Sequence, residues 1–506
     1  MLKFVGKRLA MSLLILLLGS FLLYVLTINS GDPLQDLRES NSPNRDNLIR
    51  QRVADMGLEL PWYARYFTWL RGAVGCLIGQ CDLGLNRAGQ DVTSLVASAA
   101  GSTLQLVVGA TVLAILIGVI LGIVTAIRQY SGFDYGVTLM AFVFFSLPVF
   151  WVAVLLKHYA AIRFNDWIAE AQFSPGSIAV ISLLLGFLVA AALGGSWRRK
   201  IITFLAVGIA SAGALFYFDA VTWFRRPAIG LPVFILIAAG AGALVISLTS
   251  GFRNHKVRNA VGATVAWGIL GYAVLRGTLM TSPSVWLLLG CLALGILGAV
   301  AAGWLLGGFS RRQAIFASVI AASLASLTAL VDLLLSHWAA YLQLQSRPIP
   351  TIGSSTPNLE AGFWETGLDA ATHLILPTTA LVLISVASYT RYTRSSMLEV
   401  LNQDYIRTAR SKGLGERAVI MRHAVRNSLI PLATIVAFDF AGLIGGAVVT
   451  ETVFGWKGMG ALFRQGLLDV DPNPVMGFFL VTGTAAVVMN MLADIAYAFL
   501  DPRIAR

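Results

Sequence analysis

Residues 391–431 read RYTRSSMLEVLNQDYIRTARSKGLGERAVIMRHAVRNSLIP. Met397 to Lys412 contains good helix formers without Pro or Gly, and Gly413 follows, where a left-handed glycine would end the helix. Glu416 to Asn427 predicts a second helix, because apolar side chains recur there at helical spacing. Pro431 then falls in the first turn of the next apolar segment, where proline is tolerated. The stretch therefore predicts two short amphipathic helices joined by a glycine-containing turn.

Long apolar segments flank this stretch and fill most of the chain. Of the 506 residues, 57% are hydrophobic and only 12% are charged, whereas a soluble domain carries about 25% charged residues. A helix that crosses the hydrocarbon core of a bilayer needs roughly 20 apolar residues. Twelve segments approach that length: 9–28, 101–127, 137–161, 177–194, 201–218, 228–249, 260–279, 284–307, 314–335, 374–392, 428–449 and 475–499. The sequence therefore predicts an all-α polytopic membrane protein.

The positive charges orient these predicted spans. The formal net charge is +12, but Lys and Arg cluster in loops between apolar runs, so the charge predicts cytoplasmic loops rather than nucleic-acid binding. The clusters are Arg128, Arg198-Arg199-Lys200, Arg253 with Lys256 and Arg258, Arg311-Arg312, and 391–426. They place both termini in the cytoplasm, whereas Arg225-Arg226 falls on the outer side and disagrees. The apolar run 9–28 is too long for a cleaved signal peptide and predicts an uncleaved span.

Three segments are then expected outside the cell: 29–100, 336–373 and 450–474. The first carries the aromatic run Trp62, Tyr63, Tyr66, Phe67 and Trp69, and such aromatic side chains commonly lie at the level of the lipid headgroups. Cys76 and Cys81 also belong to this segment. The outer compartment permits a disulfide between them, but the sequence leaves that pairing open.

The amphipathic pair in 391–431 has two uses that residue chemistry alone does not separate. Its Lys and Arg side chains suit a helix pair that lies on an anionic membrane surface. A rigid projection that docks in a groove on a soluble partner would have the same pattern. The choice between them comes from a resemblance.

The chain resembles the B-type permease of the dipeptide, oligopeptide and nickel importers that use an ATP-binding cassette, and 391–431 resembles the EAA-type coupling loop of such permeases. Its most similar stretches are TRSSMLEVL (393–401), DYIRTARSKGL (404–414), RHAVRNSLIP (422–431), GGAVVTETVFGWKGMG (445–460), AYAFLDPRI (496–504), GDP (31–33), the run 56–72, DLGL (82–85) and SLPVFW (146–151). Arg407-Thr408-Ala409 stands where the general motif has Glu-Ala-Ala, as is typical of the peptide branch.

The resemblance implies a type I importer fold and a subunit that is not an enzyme. It implies partners: a second, C-type permease, two ATPase subunits that bind ATP and Mg, an extracytoplasmic substrate-binding lipoprotein, and membrane lipid. No cofactor is expected on this chain, which shows no G-x-x-x-x-G-K-[ST] phosphate-binding loop. The implied location is the inner or plasma membrane of a prokaryote, and the implied cargo is di- or oligopeptides.

The resemblance also implies two sets of site residues, with no catalytic or metal-binding residue among them. Residues expected to couple to an ATPase are Asp404, Tyr405, Arg407, Thr408, Ala409, Arg410, Lys412 and Gly413. Residues expected along the translocation path or its gate are Asp439, Gly442, Gly445, Gly446 and Glu451. Asp439 stands out because a carboxylate inside a span is a functional candidate, although a hydrogen bond within the bundle would also explain it.

The segment 166–340 has no counterpart in that family. It predicts about six extra spans, and because their polar groups lie near span ends, we expect a peripheral bundle rather than a second pore. The predicted organisation is an N-terminal span (1–28), an extracytoplasmic segment (29–100), a first core part (101–165), the insertion (166–340), and a second core part (341–506) that includes the coupling loop (394–431).

Two other functions compete with this interpretation. A secondary transporter would suit about twelve spans, but it normally shows internal repeats and intramembrane ion-coupling residues. A membrane scaffold would leave 404–413 unexplained. Within the importer family, a nickel permease is the alternative, because His158, His337 and His373 fall toward the outer side.

Overall fold

The computed structural model describes residues 2–500, without the side chains at 2–5, 7–9, 417, 422, 433–434, 437, 441, 443–446 and 493–500. Within this part of the chain the regular structure is helical, and β-pairing is confined to one isolated bridge. The all-α fold is confirmed. The first ten helices are α1 (Leu2–Ile28), α2 (Gln35–Arg38), α3 (Arg45–Asp55), α4 (Trp62–Gly75), α5 (Val92–Ile127), α6 (Gly132–Ser146), α7 (Val149–Leu155), α8 (Arg163–Glu170), α9 (Pro175–Leu193) and α10 (Trp197–Ala220).

The remaining helices complete the bundle and the predicted coupling loop. They are α11 (Gly230–Thr249), α12 (His255–Thr281), α13 (Val285–Leu306), α14 (Arg311–Ser336), α15 (Trp338–Leu344), α16 (Phe363–Leu401), α17 (Asp404–Ser411), α18 (Glu416–Ala418), α19 (Val425–Gly446), α20 (Val448–Phe454), α21 (Met459–Leu468) and α22 (Pro472–Leu500). Ten helices in the described part are long and apolar enough to cross a membrane, and a bent pair would make an eleventh span. The predicted span 428–449 corresponds to α19.

The bent pair corrects the single span predicted at 137–161. Helix α6 ends at Ser146, and the helical stretch Val149–Glu170 that follows is turned by 106°. The break falls at Leu147-Pro148, where Leu147 is extended. A residue before proline is pushed out of the helical region, so the apolar run continues while the helix does not.

The centre of the bundle is the contact between α5 and α16. Two glycines on α5 allow it: a Cβ added at Gly118 would lie 2.6 Å from the Cβ of Tyr389, and one at Gly122 would lie 2.5 Å from the Cβ of Thr393. Small residues let membrane helices approach closely in this way. Helices α6, α19 and α22 pack around this pair, and α1 packs on α22.

The two ends of α5 define the two ends of the molecule. Near its N-terminus lies the segment that contains the disulfide between Cys76 and Cys81. Leu83, which follows the disulfide, and Val92, the first residue of α5, belong to one buried cluster. We call this the disulfide end. At its C-terminus Ala126 packs with residues of α17, and we call this the basic end. The disulfide that the sequence left open is therefore formed.

Arg87 connects the polar segments of the disulfide end. Its guanidinium pairs with Asp36 and, at 3.2 Å, with Asp469, while its backbone N–H donates to the buried Asp471 carboxylate. Asp36 also pairs with Arg52 at 2.6 Å. Residues far apart in sequence are thereby held together before α22 begins.

The helices inside the predicted insertion form two units. Helices α9 and α10 pack on each other, and α9 also touches α6. Helices α11 to α14 form a separate four-helix unit that reaches the central bundle through α14 and α16. There the indole N–H of Trp364 on α16 donates to the carbonyl of Leu279 at 2.9 Å. Both units lie beside the central bundle, while the boundaries 166 and 340 stay predictions.

Asp332 is the polar centre of the four-helix unit. It is fully buried on α14 and accepts hydrogen bonds from the backbone N–H groups of Ile229 and Gly230, at 3.0 and 2.9 Å. The Tyr272 hydroxyl donates to the same carboxylate at 2.5 Å, and Arg276 pairs with it at 3.2 Å. Asp332 therefore satisfies N–H groups at the start of α11 and ties α11, α12 and α14 together.

We expect Asp332→Ala to lower the free energy of unfolding by about 2–4 kcal/mol, because it leaves buried donors and a guanidinium without an acceptor. Asp166→Ala is the control: Asp166 is exposed, its contact with Arg347 measures 3.8 Å, and its loss should cost about 0–1 kcal/mol. Denaturant titration of the purified protein measures both. Equal losses in the two variants would contradict the role assigned to Asp332.

Candidate coupling site and translocation path

The first helix predicted in the coupling loop is broken in two. Helix α16 runs to Leu401, the chain turns at Asn402 and Gln403, and α17 begins at Asp404. Gln403 is extended, with φ −73° and ψ 150°. The predicted single helix 397–412 is therefore wrong, because a run of good helix formers does not record a turn that tertiary packing imposes.

The second predicted helix does not end before the next span. Helix α18 passes through a π-helical turn at Val419–Ala424 directly into α19, and Pro431 lies inside α19. The expected boundary near Pro431 is wrong. Membrane helices tolerate an internal proline because neighbouring groups compensate for the missing N–H.

Helix α17 lies against the basic end of the bundle. Ile406 and Ala409 are its buried side chains, and they belong to a cluster that includes Ala126 of α5, Met397 of α16 and the buried Val419. The hydroxyl of Tyr405 accepts a hydrogen bond from the Asn427 side chain at 2.9 Å. Helix α17 thus contacts the ends of three long helical segments.

The predicted coupling residues divide by exposure. Those that are exposed are Asp404, Tyr405, Arg407, Thr408, Arg410, Lys412 and Gly413, whereas Ala409 is buried against the bundle. Arg410 makes a bidentate pair with Glu416 at 2.6 and 3.2 Å across the turn, and this pair lowers the pKa of the Glu416 carboxyl. The outer face of α17 presents a hydroxyl, a carboxylate and several cations on a fixed backbone.

Gly413 ends α17 as the sequence predicted. Its φ is +76°, and the N–H of Leu414 donates to the carbonyl of Ala409 at 3.4 Å, while the N–H of Gly413 donates to Arg410 at 2.9 Å. This is the Schellman arrangement, which requires a left-handed residue after the helix. Nothing lies within 4 Å of a Cβ added there, so the constraint is conformational rather than steric.

We expect Gly413→Ala to destabilise the end of α17 by about 1–2 kcal/mol, the cost of a left-handed non-glycine residue. Amide exchange in α17 should accelerate about fivefold or more, since 1.4 kcal/mol is a factor of ten. Gly415→Ala is the control, because Gly415 has φ −59° and an added Cβ there also meets nothing. Equal exchange in both variants would show that Gly413 does not fix this turn.

Of the predicted path residues, Asp439 lies on α19 and faces α16. It is half-buried on α19 and interacts with the hydroxyl of Tyr389 on α16, although that hydroxyl makes no hydrogen bond of regular geometry among the described residues. Gly442 is exposed on α19, and an added Cβ there meets nothing. Gly445 and Gly446 end the α19 backbone, and their surroundings lie outside the described residues.

Glu451, the remaining predicted path residue, is fully buried at the disulfide end. Its carboxylate accepts from the Thr103 hydroxyl at 2.6 Å and from the backbone N–H groups of Gly460 and Ala461 at 2.7 and 3.1 Å. Thr103 donates to Glu451 because an ionised carboxylate only accepts, and the Thr103 oxygen in turn accepts from the N–H of Met459 at 2.8 Å. Glu451 and Thr103 together satisfy three N–H groups in the first turn of α21.

The surroundings of Glu451 leave no spare space. A Cβ added at Gly458 would lie 2.3 Å from the Glu451 carboxylate, and one at Gly460 would lie 2.5 Å from Val448 Cα. Burial raises the pKa of the Glu451 carboxyl, against the hydrogen bonds that favour its ionised form. Glu451 therefore joins α5, α20 and α21, and both oxygens of its carboxylate are occupied by these hydrogen bonds.

We expect Glu451→Gln to lower the free energy of unfolding by about 1–3 kcal/mol. The amide nitrogen that replaces one carboxylate oxygen cannot accept the hydrogen bonds that this oxygen now receives. Glu360→Gln makes the same change of charge at an exposed residue and should be close to neutral. Thermal unfolding of the purified protein compares them. A Glu451→Gln variant as stable as Glu360→Gln would remove the helix-capping role.

Sequence reasoning missed several residues of these sites. Thr103 and Tyr389 carry no motif of their own, since single polar residues in apolar runs are common. Asp134 at the start of α6 makes a bidentate pair with Arg394 on α16, at 2.8 and 2.9 Å. Asp134 is buried. The sequence did offer a signal for this pair, because a carboxylate lies beside one predicted span and an arginine lies at the end of another.

The three histidines that suggested nickel are separate from one another in their contacts. His158 packs on Tyr159, His337 stacks on Trp364, and the Nδ1 of His373 bonds the carbonyl of Asp369 at 2.8 Å. In the part of the chain that the structure describes, no three His, Cys, Asp or Glu side chains are grouped to hold a metal ion.

Comparison with known proteins adds to this geometry. The family model described as binding-protein-dependent transport system inner membrane component matches residues 118–506. This chain belongs to that family. It is therefore a membrane component of a transport system, and the secondary-transporter and scaffold alternatives are set aside. The matched range includes the predicted coupling loop, α19 and α20.

Individual relatives match over shorter lengths. The oligopeptide transport system permease protein OppB of Mycobacterium bovis is 41% identical over 168 residues, 33% of this chain and 50% of the relative. The oligopeptide transport system permease protein AppB of Bacillus subtilis is 45% identical over 155 residues, which are 31% of this chain and 48% of the relative. The dipeptide transport system permease protein DppB of Escherichia coli is 44% identical over 137 residues, which are 27% of this chain and 40% of the relative. The chain spans about half the length of these relatives or less.

Proposed function

We propose that this family member is the permease subunit of an ATP-driven importer that takes up di- or oligopeptides. The observation that carries the proposal is α17, a short helix with a charged outer face and with Ile406 and Ala409 packed on the ends of the membrane helices. The named relatives are peptide permeases, which supports the choice of cargo.

The proposed arrangement places the basic end in the cytoplasm. The Lys and Arg clusters of the loops support this orientation, and so does the disulfide between Cys76 and Cys81, because disulfides persist outside the cytoplasm. The disulfide end then faces the extracytoplasmic binding protein. Two ATPases, one of them on α17, and a second permease complete the proposed assembly, and ATP with Mg is bound by the ATPases alone.

Coupling follows from how α17 is held. When ATP draws the two ATPases together, the force reaches Ile406 and Ala409 and passes to α5 through Ala126. A coupling element must be stiff and must have two positions that the two sites favour differently. The Gly413 cap and the Arg410–Glu416 pair give α17 this stiffness. The membrane helices around α5 would then rock between inward-open and outward-open states.

The test is reconstitution of the full assembly with Arg407→Glu. Arg407 is exposed, with a contact of 3.5 Å to Asp404, and an acidic side chain near a helix N-terminus does not oppose helix formation. We expect ATP-dependent peptide uptake into proteoliposomes to fall at least about tenfold, because charge reversal at an interface costs 1.4 kcal/mol or more. Co-purification of the ATPases should fall with it.

Arg253→Glu is the matched control, because it reverses an exposed charge in the loop before α12, away from α17. Uptake by this variant should equal that of the unmodified assembly. Unchanged uptake with Arg407→Glu, or uptake that does not depend on ATP, would overturn the proposal.

A further inference from the structure

A cleft of about 400 Å³ opens at the disulfide end. Its walls include Ile28, the last residue of α1, and Pro472, the first residue of α22. Both helices are candidate membrane spans, so the cleft lies where the spans meet the polar segments. That level in a bilayer is occupied by lipid headgroups.

The cleft carries both signs of charge, and two of its charged groups have no partner within the described part of the chain. Asp32 and Arg38 pair with each other at 2.9 Å. Glu59 and the guanidinium of Arg65 also line the cleft, and neither makes a hydrogen bond or an ion pair with any residue that the structure describes. The Nε of Arg65 is buried, and no described residue accepts a hydrogen bond from it. Such a donor is costly to leave unsatisfied, and an anionic ligand would satisfy it.

Helix α4, which carries Arg65, is amphipathic across its length. Its buried side chains are Tyr66, Trp69 and Ala73. Exposed apolar side chains follow one another along the other face and into the turn beyond: Tyr63, Phe67, Val74, Leu77 and Ile78. A helix of this kind, with aromatic residues beside a span, is typical of one that lies in the membrane interface.

We propose that this cleft binds the zwitterionic headgroup of a phospholipid, with the phosphate at Arg65 and the ammonium group at Glu59. A planar guanidinium suits a phosphate oxygen pair. Glu59 supplies the opposite charge that an ethanolamine ammonium needs and that a purely anionic lipid does not. The proposal is independent of peptide transport and of which end faces the cytoplasm.

The test uses the purified full chain in detergent, with lipid binding followed by native mass spectrometry. We expect phosphatidylethanolamine to bind more tightly than phosphatidylglycerol. Arg65→Gln should weaken both lipids at least about tenfold, the usual effect of losing a charge-assisted hydrogen bond. Glu59→Gln should weaken phosphatidylethanolamine alone. Arg71→Gln is the control, because Arg71 is exposed on the same helix and lies outside the cleft.

Three results would overturn the proposal. Phosphatidylethanolamine binding that is equal in Arg65→Gln and Arg71→Gln would exclude the cleft. An unchanged preference between the two lipids in Glu59→Gln would exclude recognition of the ammonium group, and since Glu59 is exposed this variant should fold even if Arg65→Gln does not. Soluble glycerophosphoethanolamine that binds as tightly as the lipid would assign the cleft to a free solute instead.

Discussion

The close contact of α5 with α16 is the constraint on which the rest of the structure depends. Gly118 and Gly122 bring the two backbones together, so α5 cannot be displaced without α16. Along α5, Thr103 bonds Glu451 at the disulfide end and Ala126 packs with α17 at the basic end. At 1.5 Å per residue these positions are about 35 Å apart. One stiff helix therefore links the α17 surface to the closed cluster around Glu451.

Buried charges in this bundle fall into two groups. Asp332 and Glu451 each accept from backbone N–H groups at helix starts and from side chains, so every part of the carboxylate has a structural use. Asp439 and Arg65, which are half-buried, have no such set of partners among the residues that the structure describes. Because burying an unsatisfied charge costs free energy, a structure retains it where something else supplies the missing interaction. The second group is where binding is expected.

Hydropathy predicted the spans well because a bilayer imposes a length on every apolar helix. It failed at two breaks in the backbone: Leu147 before Pro148 bends a run that is apolar throughout, and tertiary packing turns the chain at Gln403 within a run of good helix formers. Gly413 was predictable, because a left-handed cap requires glycine. Thr103 was not, since its role depends on Glu451, far along the chain. Local chemistry fixes caps and spans, whereas partners across the fold come from packing.

The six helices from α9 to α14 do not interrupt the central bundle, and one pair of residues shows why. The Asn165 amide donates to the Ile349 carbonyl at 2.7 Å and accepts from the Ile349 N–H at 3.0 Å. These residues precede and follow all six helices, so the two flanks of the inserted stretch meet at this pair. An even number of spans returns the chain to the side from which it left. Because Asn165 already joins the two flanks, the inserted units need only lipid-compatible surfaces and a few contacts with the bundle, which α9 makes with α6 and which α12 and α14 make with α16.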